Sequence, residues 1–147
     1  MAHATATALE RRGFDVTGVA LMDTAFTGQL LHHFGDSLAD AFIERDHSLD
    51  VLSAPRLMAA AWYLYMFSVW VPPAPRAPTL LVRASEPMNE IDVPPEEWQV
   101  RWDLPHTAVD VPGNHFTIGE EHAGTTAQAV ESWLTDLGYG IDSNSHQ

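Results

Sequence analysis

Two residues in this 147-residue chain have types and settings suited to acid–base chemistry. Asp23 closes the apolar run Val19–Met22, and His115 follows Val111, the end of a later apolar stretch, by four residues. An acid hydrogen-bonded to one imidazole nitrogen fixes the tautomer, so that the other nitrogen can take a proton from a nucleophile. Open parallel sheets gather their functional groups at the carboxyl ends of strands, and both residues fall there if the apolar runs are parallel strands. Spacing alone leaves a plain alternative for each. A strand-end Asp also serves as a helix cap or turn hydrogen-bonder, and a loop His as a partner for backbone groups.

Other chemistries find less support. His32, His33 and His47 with Asp36 or Asp40 form a conceivable metal set, and His32 and Asp36 are four apart on an expected helix. The His-Glu-x-x-His pattern is missing and adjacent histidines point to different helix faces, so a solvated or cavity-facing helix is the expectation. Glu121 and His122 fall in the first turn of an expected helix, where acids suit the dipole and no chemistry requires them. The absence of cysteine excludes disulfides, thiolate zinc sites and cysteine nucleophiles. All seven cations are arginine, which excludes Schiff-base lysines and the phosphate-loop lysine. With a net charge of −13 the surface repels phosphate backbones and anionic lipid heads, so neither nucleic acid nor membrane is expected as a partner. No metal or dissociable cofactor is expected.

The elements that must position Asp23 and His115 follow from apolar patterning. Alanine-rich Met1–Arg12 predicts a helix stopped by Gly13. Val19–Met22 is continuous rather than alternating, as in a strand covered on both faces. Residues 24–77 are too long for a simple crossover and hold two helical stretches, Leu30–Glu44 and Leu57–Trp70, before the stiff exit VPPAPRAP. A strand follows in TLLVRAS, then a short helix with Trp98 and Trp102 on one turn, then a strand in HTAVDV. Thr117–Glu120 has capping-box spacing ahead of a helix whose face is Ala123, Ala127, Val130, Leu134 and Leu137, with Trp133 packing beside it. Strands alternating with helices predict a parallel α/β sheet. Three strands are few for such a sheet, as if an earlier part were missing. Leu57–Val71 is too short to span a membrane and the first residues do not form a secretory leader, so a cytoplasmic location is expected.

Longer stretches add a resemblance. VTGVALMDT, APTLLVRASEPM and above all VPGNHFTIGEEHAGTTAQAVESWL resemble the C-terminal half of the thioesterase domain of modular type I polyketide synthases, a branch of the α/β-hydrolase superfamily. The order Asp then His agrees with that superfamily. The resemblance implies a partial α/β-hydrolase fold, with three C-terminal parallel strands, flanking helices and a helical lid insertion over 24–77. Residues 1–147 would be the C-terminal portion of one thioesterase domain. Asp23 would be the triad acid and His115 the base. The substrate would be a polyketide acyl chain on a phosphopantetheinylated acyl carrier protein, released by water or by an internal hydroxyl. The aromatic run Ala61–Trp70, by default core, becomes a channel wall.

One departure stands out. The family's serine sits in a Gly-His-Ser-x-Gly elbow just before the first helix, and none of the eight serines here has a Gly-x-Ser-x-Gly context. The oxyanion hole, too, belongs to residues that would precede Met1. Ala25 stands where relatives often carry a tyrosine. A base and acid without a nucleophile cannot form an acyl-enzyme. The expectation is an isolated chain that is inactive and poorly soluble, with VALM as an uncovered strand edge and an N-terminal half to be supplied. The alternatives are a non-catalytic remnant or binding fragment of a thioesterase, or a piece of a stand-alone editing thioesterase.

Overall fold

Leu80, Leu81 and Val82 are at most 1% exposed, which marks their run as a central strand covered on both faces. The computed structural model describes residues 2–25, 53–88, 92 and 94–139. In chain order the elements are α1 (Ala2–Arg11), β1 (Val19–Met22), α2 (Ala54–Val69), β2 (Thr79–Ala84), α3 (Pro95–Trp98), β3 (Thr107–Val111), a 3-10 turn (Thr117–Gly119) and α4 (Ala123–Asp136). The strands form one sheet in the order β1-β2-β3, and both pairings are parallel. Val19 lies opposite Thr79, and Leu80 opposite Thr107. The expected α/β class and all three strands are therefore present.

Alternation along β2 divides the core. Leu81 faces Ala6 of α1, together with Val19, Leu21, Ala25, Val100 and Trp102. Leu80, Val82 and Ala84 face the other way, onto Val111, Ile118 and Trp133. Burying each aliphatic side chain contributes about 1.5–3 kcal/mol relative to leaving it exposed. Gly18 admits the closest approach on the second face: a Cβ there would lie 2.6 Å from Cη2 of Trp133.

Both well-packed helices end in the same way. Gly13 and Gly138 adopt φ of +85° and +87°. At the end of α1 the N–H of Phe14 reaches the Leu9 carbonyl and that of Gly13 the Glu10 carbonyl; Tyr139 and Gly138 repeat this pattern on Leu134 and Thr135. The last carbonyls of each helix are thereby satisfied by a left-handed glycine. Glu10 also ties α1 to the approach of β2, because its carboxylate accepts the backbone N–H groups of Arg76 and Ala77 at 2.8–3.0 Å. The Arg76 N–H bond is the main cause that holds this carboxyl below its usual range. His3, 2% exposed, lies edge-on to Trp70 and Trp102 at 5.9 and 5.3 Å, and neither ring nitrogen has a hydrogen-bond partner among the described residues. Burial pushes its pKa down.

Three local expectations are corrected. The short helix ends at Trp98, since Gln99 turns extended with ψ of 139°, so Trp102 is not on its turn but buried against the α1 side of the sheet. Thr117–Glu120 is not a capping box: it lies in the 3-10 turn, and α4 starts three residues later with His122 at its N-cap. The Thr117 hydroxyl is instead drawn back onto Asn114. The buried face of α4 is centred on Thr126 and Trp133 with Ala129, Val130, Leu134 and Leu137, whereas Ala123 and Ala127 are exposed. α2 begins at Ala54, slightly before its expected start. It presents Met58, Trp62, Tyr65 and Met66 to solvent. The expected helix Leu30–Glu44, and with it His32, His33, Asp36, Asp40 and His47, lies outside the described residues.

Candidate active site

The parallel ladder between β1 and β2 runs one step past Met22, where the N–H of Asp23 donates to the Val82 carbonyl at 2.7 Å. There the backbone turns sharply. Asp23 has φ of +39°, the one positive value at a non-glycine residue among those described. Asp is one of the few side chains that tolerates the left-handed region, and such strain persists only where the surroundings enforce it. The turn carries the carboxylate along the sheet rim toward β2. Its Oδ1 accepts the backbone N–H of Ala84 at 2.9 Å, and its Oδ2 lies 2.9 Å from Nδ1 of His115.

His115 arrives from the far side of the sheet. β3 ends at Val111, and the loop beyond it is sewn to the end of β2: Ser85 N–H donates to Val111 and Glu86 N–H to Gly113, both at 3.0 Å. Gly113 returns its own N–H to the Glu86 carboxylate at 3.2 Å. It needs φ of +97°, and a Cβ there would collide with His122 and with the Thr117 hydroxyl. The His115 ring rests edge-on against Phe116 with centroids 5.2 Å apart.

The two candidates therefore meet, 92 positions apart in the chain. Asp23 is 5% exposed, while the His115 side chain keeps 35%. A carboxylate shielded from water and gripped by a backbone N–H has little freedom to turn away from the imidazole. With the proton held on Nδ1, Nε2 becomes the basic nitrogen, as the acid–base couple of a nucleophilic hydrolase requires. Glu121 and His122 lie apart from this contact, their side chains 3.5 Å from one another. Among the described residues no group of three metal-ligating side chains occurs, and no helix is long and apolar enough to cross a membrane.

The residues that hold the His115 loop were not legible as site residues. Asn114 does not stand out and Thr117 reads as part of a capping box, although Asn and Thr three positions apart around a histidine are a signal of local side-chain-to-backbone bonding.

No family profile matches the chain. It is 44% identical over 140 residues to the polyketide synthase GfsE of Streptomyces halstedii, and 40% over 142 residues to the spectinabilin polyketide synthase system protein NorC of Streptomyces orinoci. Each match takes in 93% of the chain. The erythronolide synthase EryA3 of Saccharopolyspora erythraea is 35% identical over 136 residues. Among solved structures, the NocB thioesterase domain superposes on 90% of the chain with a TM-score of 0.56, and the Vlm2 thioesterase domain on 88% with 0.54. The chain is thus similar in sequence to polyketide synthases and in fold to thioesterase domains. At 19% identity the two superposed domains speak for the fold, which is of the α/β-hydrolase type. The chain spans 4–6% of the length of the polyketide synthases, and 60–62% of the two thioesterase domains.

Proposed function

We propose that these residues form the acid–base half of a chain-releasing thioesterase that frees a polyketide acyl chain from the phosphopantetheine arm of a carrier protein. The observation that carries this reading is the 2.9 Å contact between His115 Nδ1 and a buried, doubly held Asp23 at the carboxyl rim of a parallel sheet. Two elements separated by the whole of the central strand converge on that contact, and packing alone does not require it. The polyketide synthase relatives supply the substrate class.

In this scheme a serine hydroxyl supplied from outside the 147 residues adds to the thioester carbonyl while Nε2 of His115 takes its proton. The tetrahedral intermediate collapses and expels the pantetheine thiolate, which receives that proton. Asp23 stabilises the imidazolium in between, and the acyl-serine is then opened by water or by an internal hydroxyl, again with His115 as base. Residues 1–147 are then the C-terminal portion of one thioesterase domain, with 24–77 as its lid. The exposed aromatic stripe of α2 supplies an apolar wall for the acyl chain.

The test is hydrolysis of an acyl N-acetylcysteamine thioester by a polypeptide that joins these residues to the serine-bearing segment. Turnover that His115→Ala abolishes supports the proposal; turnover indifferent to His115 refutes it. The lack of any Gly-x-Ser-x-Gly within the 147 residues keeps a second reading in play, a non-catalytic remnant that binds an acyl carrier protein. An inert joined polypeptide that still binds the carrier protein would favour it.

A further inference from the structure

The loop that delivers His115 is closed on itself by its two neighbours. Asn114 Oδ1 accepts the backbone N–H groups of Phe116 and Thr117 at 3.0 and 3.1 Å. In return the backbone N–H of Asn114 donates to the Thr117 hydroxyl oxygen at 2.8 Å. These three bonds form a ring with His115 inside it, so the backbone on either side of the imidazole is pinned by side chains in addition to the Ile118 N–H that reaches the Asn114 carbonyl at 3.1 Å.

The ring is anchored at both ends. Upstream, Gly113 packs so tightly beneath Thr117 and His122 that no side chain fits there. Downstream, the Thr117 carbonyl accepts the N–H groups of Glu120 and His122 at 3.1 and 2.9 Å, and the buried Thr126 hydroxyl donates to the Ile118 carbonyl at 2.8 Å. The position of the imidazole is thereby referred to α4 and, through Trp133, to the core.

We infer that Asn114 and Thr117 are positioning residues for the base, clamping the His115 backbone so that Nδ1 meets Asp23. The inference rests on the reading of His115 as that base. Asp23 is fixed by β1 and by the Ala84 N–H, so it cannot follow a displaced imidazole. Slackening of the loop therefore appears as misalignment of base and acid, and displacements of about 1 Å cost up to about a hundredfold in rate.

The experiment compares kcat and KM for thioester hydrolysis in the joined polypeptide described above. Asn114→Ala removes the acceptor, and Asn114→Asp keeps carboxylate oxygens in its place. Thr117→Val removes the hydroxyl at nearly constant shape, and Thr117→Ser keeps it. The expected result is a ten- to hundredfold fall in kcat for Asn114→Ala and Thr117→Val with KM little changed, and recovery to within a few-fold of the parent in Asn114→Asp and Thr117→Ser. Unchanged kcat in Asn114→Ala, or no recovery in the acceptor-keeping variants, overturns the inference. His115→Ala is measured alongside: its indifference would instead overturn the functional reading on which this rests.

Discussion

Asp23 has both carboxylate oxygens committed, one to a backbone N–H and one to the imidazole, and the two commitments have separable consequences. Asp23→Asn keeps an acceptor for Ala84 but no longer selects the Nδ1–H tautomer. In the joined polypeptide it should lower kcat by about ten-thousand-fold with little loss of stability. Asp23→Ala in addition strands the buried Ala84 N–H, which costs about 1–3 kcal/mol and should lower the urea midpoint. Equal midpoints for the two variants would show that the Ala84 bond contributes nothing. At this scale the sequence was informative about identity and silent about grip. Asp23 and His115 stood out by residue type and strand-end place, but the left-handed turn at Asp23 and the bond from Ala84 depend on β2 lying alongside.

The elements are held by close packing on both faces of the sheet, and on the α1 face by tethers as well. Gly18→Ala would press a methyl group into Trp133, and overpacking of this kind costs about 1–3 kcal/mol, to be read as a lower midpoint in urea. On the α1 face, acid should loosen the helix in two steps of the same sign. His3 is buried with its pKa lowered, so the unfolded chain gains a proton that the folded one resists. Its share of stability is full above the ordinary value of 6.5 and drains away as pH falls below it. Glu10 has a lowered carboxyl, so its share is full above the ordinary 4.5 and is lost as pH falls through the folded value. Urea midpoints followed from pH 8 down to 2 should show both steps. His3→Phe should remove the upper step alone, and Glu10→Gln the lower. The strands were legible because β2 is a continuous apolar run and prolines and glycines bound each segment. The start of α4 was not, because the same Thr-x-x-Glu spacing serves a cap or a 3-10 turn, and the pull of Asn114 on the Thr117 hydroxyl decides between them.

For the whole molecule, β1 pairs with β2 alone among the described strands, and α2 carries an exposed stripe of Met58, Trp62, Tyr65 and Met66. An open parallel edge and an apolar helix face together favour self-association. The 147-residue chain by itself should elute from size exclusion as aggregate. On the proposed reading it should also show no hydrolysis of an acyl thioester above background, because a triad without its serine is slower by about six decades. Supplying the serine-bearing segment should cure both defects together. A monodisperse isolated chain that turns over substrate would contradict this picture.

Composition, by itself, excluded thiol and lysine chemistry and argued against phosphate backbones as partners, since a side chain that is absent needs no fold to be decisive. Apolar patterning set out the order of the described strands and helices, because the spacing of apolar residues is a local property of the chain. Which nitrogen of His115 faces which oxygen of Asp23, what closes the loop between Gly113 and Thr117, and which side of α4 lies inward were decided only by the tertiary structure. The Asp23–His115 contact and the inward side of α4 depend on groups far apart in sequence brought together by the sheet, whereas the loop is closed by side-chain bonds between residues two and three positions apart.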